Sequence, residues 1–204
     1  MLVQSLQFYK VSTILAIAYA LFFFTFQDSD TFWYFYSFTI LFLMGVSLLY
    51  AKVEDEVQTL EYLLLGVGYG TLTYFLFAAS YWLIDVIPFL SVAPIHRFLE
   101  TFGPTTIWHF ILLFFIIAPA EEFFWRGFVQ QYFKKYLPTF YAVLAASVLF
   151  SISLLVGGFV YGALAGLFSG LLWGLLYEWK KSMPLLIVTH STALILLFLV
   201  LPIE

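Results

Sequence analysis

Long apolar stretches recur along the whole chain, and they constrain its fold more than any other feature. Stretches of about 18 or more residues with few charges are the signal of transmembrane helices. The chain is 64% hydrophobic and only 10% charged, whereas soluble domains carry about 25% charged residues. Its 204 residues would suffice for a soluble domain, but they supply too few polar side chains to cover its surface. The sequence therefore predicts an all-α polytopic membrane protein.

Polar and proline-rich interruptions divide the chain into about seven predicted spans. The spans cover approximately residues 8–26, 31–50, 60–84, 106–133, 141–155, 159–177 and 184–201. The first is expected to be a retained helix, because no small-residue cleavage site follows it. Three prolines in residues 85–105 predict a long loop with a short interfacial helix. We expect one integral membrane domain, with N-terminal spans and an outer proline-rich loop in 1–105 and the motif-bearing helices in 106–204.

The basic residues predict the orientation of the bundle. With a cytoplasmic N-terminus, the outer segments carry only Arg97, and the inner segments carry Lys10, Lys52, Lys134, Lys135, Lys180 and Lys181. Cytoplasmic loops are enriched in Lys and Arg, so we expect the C-terminus to lie outside. The short loops and small size are typical of a bacterial inner or plasma membrane protein. The chain has no cysteine, which excludes disulfides, and no basic patch that would indicate nucleic acid.

Three charged residues lie inside the fourth predicted span, in the stretch APAEEFFWRG. A charge at the bilayer centre costs about 2.5–3.5 kcal/mol even on the mildest scale, so it is retained where it is paired or used. Glu122 and Arg126 stand four residues apart with the acid first, the favoured order for a helical ion pair. Glu121 projects about 100° away from Glu122 and has no partner on its own helix. Glu121 is therefore a candidate general base, although a hydrogen bond to another helix would also account for it.

His190 is the histidine that lies at membrane depth, about six residues into the last predicted span. A buried histidine either hydrogen-bonds within the core or serves a site, and here Glu121 and Glu122 are available as partners. If they share a site, the Glu121 carboxylate should lie within about 8 Å of the His190 ring, the reach of one bridging water. His109 is expected at the membrane interface, and His96 in the outer loop has no evident partner. A catalytic zinc needs three protein ligands, so the sequence supports a divalent metal poorly.

A glycine repeat marks one face of the sixth predicted span. The glycines are Gly162, Gly166, Gly170 and Gly174. Glycines four residues apart allow a neighbouring helix backbone to approach closely. The favoured interpretation is packing inside the protein, and the alternative is contact with a partner membrane protein or a second copy.

The stretch EEFFWRG, Glu121 to Gly127, resembles the E-E-x-x-x-R-G signature of the CAAX-protease and bacteriocin-processing family of intramembrane proteases. That family carries Phe-x-x-x-His and His-x-x-x-Asn motifs on later helices, and here Phe150 and His190 stand at their first positions. The resemblance covers residues 106–204. It implies that Glu121 activates water, that Glu122 and Arg126 support it, and that His190 positions the water or a metal.

Two positions depart from the family pattern. Leu154 stands where the family has histidine, and Leu194 stands where it has asparagine, the donor to the oxyanion. Loss of one such donor typically lowers the rate by about 10²–10³. Nearby hydroxyls are candidates to replace the missing groups. These are Ser151, Ser153, Ser191 and Thr192.

Three functions remain open from the sequence. The first is a peptidase that uses Glu121 and His190 on a membrane-embedded or lipidated peptide in the lipid bilayer. The second is an acyltransferase, or an accessory subunit, in bacterial lipoprotein N-acylation, a cell-envelope process in which one branch of the family takes part. The third is a non-catalytic membrane scaffold or regulator. We expect the bundle to form a conical cavity between the fourth and seventh spans, open to lipid and faced by Glu121 and His190.

Overall fold

The chain is an all-α polytopic membrane protein that folds into a bundle of helices. The computed structural model describes residues 2–50 and 53–202, with side chains from residue 9 onward. The helices are α1 (Leu2–Thr25), α2 (Phe32–Tyr50), α3 (Thr59–Val86), α4 (Ala93–Phe102), α5 (Ile107–Phe133), α6 (Thr139–Val156), α7 (Val160–Lys180) and α8 (Met183–Val200). In the described part of the chain, six of them are long and apolar enough to cross a membrane: α2, α3 and α5 to α8.

The observed helices follow the hydropathy pattern closely. Each of the six long helices begins and ends within about three residues of a predicted span, an ordinary error for helix boundaries. The first predicted span coincides with α1, whose described apolar part is Tyr9–Thr25. The short helix expected in the proline-rich segment is α4, which has a proline in its first turn and is followed by Gly103. Lys52, part of the orientation argument, lies outside the described residues.

Helix α5 changes its winding on both sides of the acidic pair. Its backbone is π-helical over Leu113–Ile117 and Phe123–Gln130, and it is α-helical over Ala118–Glu122 between them. π-Helical turns are rare in proteins overall, and those that do occur often lie at functional sites. Glu121 lies in the α-helical stretch between the two π-helical segments, and Arg126 lies in the second of these segments.

Glycines bring two pairs of helices into close contact. A Cβ atom on Gly170 of α7 would lie 2.9 Å from the Ser147 side chain of α6, and one on Gly174 would lie 2.7 Å from Val143. The glycine face of α7 therefore packs inside the protein, as predicted. Helices α3 and α8 meet in the same way, since a Cβ atom on Gly70 would lie 2.6 Å from the carbonyl oxygen of Thr189. This contact fixes α8 beside the bundle core.

Candidate active site

Four ionisable side chains from two helices meet in the interior of the bundle. Glu121, Glu122 and Arg126 come from α5 and His190 from α8, and none of them is more than 6% exposed. Nη1 of Arg126 lies 3.2 Å from Oε1 of Glu122, which is the ion pair that the sequence predicted. Nδ1 of His190 lies 2.9 Å from the same carboxylate oxygen. Glu122 is thus held between a cation on its own helix and an imidazole on another.

Glu121 lies on the other side of the histidine ring. Its Oε2 atom is 3.9 Å from Nε2 of His190, so the prediction that the two groups lie within about 8 Å is confirmed. This distance is too long for a direct hydrogen bond. The other oxygen of Glu121 accepts a hydrogen bond from the hydroxyl of Tyr36 on α2. The carboxylate therefore has a fixed orientation, with one oxygen toward α2 and the other toward α8.

Tyr36 was missed by the sequence analysis. It lies in the second span, which carries no recognisable motif, and it is one of 14 tyrosines in the chain. Nothing in the local pattern distinguishes its hydroxyl from those of the other tyrosines. Only the packing of α2 against α5 reveals its contact with Glu121.

Aromatic rings enclose the charged groups. The His190 ring lies 4.4 Å from the Trp173 ring, measured between centroids. The Arg126 guanidinium lies 4.8 Å from the centre of Phe150 and 5.4 Å from the centre of Trp173. Such contacts stabilise a desolvated cation. The indole N–H of Trp173 donates in turn to Thr73 on α3, at 3.1 Å.

A cavity of about 900 Å³ adjoins these groups, and Glu121, His190 and Tyr36 lie on its wall. This volume lies at the upper end of the range for small-molecule sites, about 300–1,000 Å³. The sequence predicted walls from the fourth to the seventh span. The structure corrects this, because α2, α3 and α4 also contribute residues such as Phe32, Phe77 and Phe98. The N-terminal helices are therefore part of the site.

Leu154 and Leu194 both lie on the wall of the same cavity. These are the positions at which the resemblance leads one to expect histidine and asparagine. Both helices therefore contribute to the cavity wall, and the departure consists of apolar side chains at two positions of that wall. The chain keeps the carboxylates and one histidine and has leucine at the two remaining positions of the resemblance.

The hydroxyls predicted as replacements are engaged elsewhere. Ser151 donates to the carbonyl of Ala163 at 2.6 Å, and Ser153 donates to that of Phe150 at 2.7 Å. Ser191 donates to the carbonyl of Phe114 at 3.2 Å, and Thr192 packs against Gly70. None of the four belongs to the described residues that line the cavity. The structure thus does not bring them to Glu121 and His190.

The two remaining histidines lie apart from this cluster. The His109 ring stacks on Trp33, with centroids 4.5 Å apart and planes at 4°. Nε2 of His96 lies 2.9 Å from the hydroxyl of Tyr81 on α3, so this histidine has a partner that the sequence did not reveal. Both contacts account for these histidines without a role beside Glu121.

A metal site is not formed by the described part of the chain. No group of three or more His, Cys, Asp or Glu side chains in it is placed to hold a metal ion. Oε1 of Glu122 and Nδ1 of His190 are engaged with each other, and Arg126 supplies a positive charge at the same point. The residues present at this point therefore do not fit a metal ion.

Residues 103–196 match the family model described as Rce1-like, type II CAAX prenyl endopeptidase. The matched segment contains the glutamates, Arg126, Phe150 and His190, whereas Tyr36 lies outside it. No curated protein and no solved structure matches the chain.

Proposed function

We propose that this chain, whose residues 103–196 match the model of the Rce1-like CAAX endopeptidases, is a glutamate-dependent intramembrane peptidase. One observation carries the proposal: Oε2 of Glu121 and Nε2 of His190 lie 3.9 Å apart on the wall of one large cavity. A water that contacts both atoms at about 2.8 Å fits beside the line that joins them. A carboxylate and an imidazole that share a water can polarise it for attack on a carbonyl carbon.

Glu121 is the general base in this reaction. It takes a proton from the water as the water oxygen bonds to the carbonyl carbon of the peptide. The protonated Glu121 then gives that proton to the leaving nitrogen as the C–N bond breaks, which regenerates the carboxylate. The products are a carboxylic acid and an amine, and water is the only co-substrate.

Glu122 and Arg126 act by positioning His190. The contact between Nδ1 of His190 and Glu122, a carboxylate paired with Arg126, favours a proton on Nδ1. The imidazole then presents the lone pair of Nε2 toward the water and Glu121. An acceptor behind a histidine fixes both its tautomer and its ring orientation, as in other hydrolases. These two residues therefore support the reaction without contact with the substrate.

The cavity supports a membrane-embedded or lipidated peptide as the substrate. Its wall is mainly apolar and includes Phe26, Phe102, Leu154, Leu194 and Phe198. Apolar walls exclude water from the site, and this strengthens the electrostatic interactions of Glu121 with the substrate. A peptide that arrives from the lipid phase would bring its own apolar chain into this space.

Acyl transfer is the second candidate, and the leucines at positions 154 and 194 are the observation that favours it. A peptidase of this family would use polar groups there, and the cavity wall has none at either position. Transfer of an acyl chain from a lipid ester to an amine forms an amide, breaks the ester C–O bond and releases the lipid alcohol, which takes up the proton of the amine. It needs a base for the amine and no activated water. Glu121 and His190 could serve a lipoprotein amine in this way. A scaffold or regulator is the third candidate, in which the buried ion pairs stabilise the bundle alone.

The lysines support the proposed orientation. Lys134 and Lys181 each lie 2.5 Å from Glu178, and Lys180 lies 2.7 Å from Glu61. The loops α2–α3, α5–α6 and α7–α8 therefore meet at one end of the bundle, and this end carries most of the described positive charge. By the positive-inside rule this end faces the cytoplasm, so the N-terminus does too.

The test uses purified protein in lipid vesicles and its Glu121→Gln variant. Each receives a prenylated peptide and, separately, a diacylated lipopeptide with a free N-terminus, and the products are identified by mass spectrometry. A cleaved peptide that requires Glu121 supports the peptidase. An N-acylated lipopeptide that requires Glu121 supports acyl transfer. Equal products from both proteins would leave the scaffold as the remaining function.

A further inference from the structure

We propose that Tyr36 is a catalytic residue of this peptidase, and that its hydroxyl donates a hydrogen bond to the oxygen that becomes negatively charged during the reaction. This inference rests on the proposed function above. It assigns to α2, outside the segment that matches the family, the donor that Leu154 and Leu194 cannot supply.

Tyr36 lies next to the proposed base. Its hydroxyl donates to Oε1 of Glu121, and both side chains lie on the cavity wall. The oxygen of a bound carbonyl must lie close to the base, because the attacking water bridges the two. A hydroxyl in contact with the base is therefore within reach of that oxygen as well.

The Tyr36 ring is held in place by neighbouring aromatic rings. Its ring is stacked on Phe32 at 5.3 Å between centroids, and it contacts Phe26 at 6.2 Å and Phe22 at 6.0 Å. The side chain is 7% exposed. A donor that is already fixed needs no reorganisation when charge develops in the transition state, and such donors contribute most to catalysis.

The chemistry follows from a change of acceptor. In the resting site Tyr36 donates to the Glu121 carboxylate. When Glu121 takes the proton of water, it becomes a neutral acid and a weaker acceptor. At the same moment the water oxygen bonds to the carbonyl carbon, and the C=O electron pair moves onto the carbonyl oxygen. Tyr36 then donates to this oxyanion, keeps its proton throughout, and returns to Glu121 after the C–N bond breaks and the nitrogen takes the proton.

Other hydroxyls on the cavity wall are less suited to this role. Thr73 donates to the carbonyl of Tyr69 at 2.8 Å and receives the N–H of Trp173. Ser169 has the carbonyl of Gly166 as its partner, and Tyr81 is paired with His96. Among the hydroxyls of the described residues, the one bonded to Glu121 is that of Tyr36.

The test is the Tyr36→Phe variant, which keeps the aromatic ring and removes only the hydroxyl. The assay is cleavage of the prenylated peptide, or of a peptide found by mass spectrometry of membranes. Loss of one oxyanion donor predicts a fall in kcat of about 10²–10³, with KM unchanged and a drop in unfolding temperature no larger than that of the control variant. The matched control is Tyr74→Phe, because Tyr74 is also 7% exposed and donates at 2.8 Å to the carbonyl of Leu201, the residue after α8. Tyr74 is not among the described cavity residues, so its variant should keep the kcat of the parent protein.

The outcomes separate this inference from the proposed function. Wild-type kcat in Tyr36→Phe, with no activity in Glu121→Gln, would overturn the role of Tyr36 and leave the peptidase in place. A fall in kcat accompanied by a much larger drop in unfolding temperature than in Tyr74→Phe would mean that Tyr36 is structural, which also overturns the inference. No difference between the wild type and Glu121→Gln would remove both proposals together.

Discussion

Nδ1 of His190 on α8 lies 2.9 Å from Oε1 of Glu122 on α5, and Arg126 lies 3.2 Å from that same oxygen. One carboxylate oxygen therefore ties together a cation and an imidazole from two transmembrane helices. Neither the contact with Arg126 nor the contact with His190 alone explains why three ionisable groups are buried in the bundle interior. Together they leave Glu121 as the carboxylate that faces the cavity without a cation of its own.

Arg126→Met should destabilise the protein strongly. Methionine replaces arginine with an apolar side chain of similar length, so the buried Glu122 loses its cation. Removal of one partner of a buried pair costs about 3–5 kcal/mol. The measurement is the free energy of unfolding in mixed detergent micelles. Lys180→Met is the control, because Lys180 and Glu61 form a surface pair with side chains 21% and 48% exposed, and such pairs contribute about 0–1 kcal/mol. Equal losses of unfolding free energy in the two variants would contradict a stabilising role of the buried pair of Glu122 and Arg126.

His190→Gln should abolish most activity while leaving the fold intact. An acid–base group contributes about 10²–10⁴ in rate, and glutamine retains a polar group of similar reach. The measurement is kcat for the cleaved peptide. Ser191→Ala serves as the control beside it, since the Ser191 hydroxyl donates to a backbone carbonyl of α5 and should leave kcat unchanged. Activity lost in Ser191→Ala and kept in His190→Gln would reverse the assignment.

Gly70→Ala should weaken the packing of α3 on α8. The new Cβ atom would lie 2.6 Å from the carbonyl oxygen of Thr189, the residue before His190. Overpacking of this kind costs about 1–3 kcal/mol, and displacement of α8 should also lower activity. Gly68→Ala on the same helix meets nothing within 4 Å, so the better helix propensity of alanine should keep or raise stability. Unfolding temperatures of both variants measure the difference, and equal values would argue against the α3–α8 contact.

Leu154→His together with Leu194→Asn should raise the peptidase rate. Both positions lie on the cavity wall, so the two substitutions add an imidazole and an amide to the wall that also carries Glu121 and His190. Oxyanion donors contribute about 10²–10³ when well placed, and a gain of even part of that is measurable as kcat. The same pair in a Glu121→Gln background should remain inactive. A double variant that folds and shows no gain would mean that the cavity does not present these positions to the substrate.

The sequence predicted the helices well because their cause is local. Apolar runs of membrane length, prolines at helix ends and the i, i+4 spacing of Glu122 and Arg126 are all visible along the chain. The glycine face of α7 was read correctly for the same reason, since a spacing of four residues fixes a helix face.

Contacts between distant segments escaped the sequence analysis. Tyr36 lies 85 residues before Glu121, and no spacing rule links a tyrosine of α2 to a glutamate of α5. The candidate hydroxyls at Ser151, Ser153, Ser191 and Thr192 were close to the motifs along the chain, but the helices turn them toward backbone carbonyls and a neighbouring glycine. The π-helical turns of α5 were not predicted either.

The central claim is that Glu121 acts in chemistry, and one measurement tests it most directly. Membranes from cells that carry the wild-type protein or Glu121→Gln are compared by mass spectrometry of processed peptides and lipoprotein N-termini. Glutamine keeps the volume of the side chain and can still accept the hydrogen bond of Tyr36, so the bundle should persist. The account predicts a peptide cleavage that is present with the wild type and absent with Glu121→Gln. Identical peptides and N-termini from both membranes would contradict it and make the buried cluster a structural element alone.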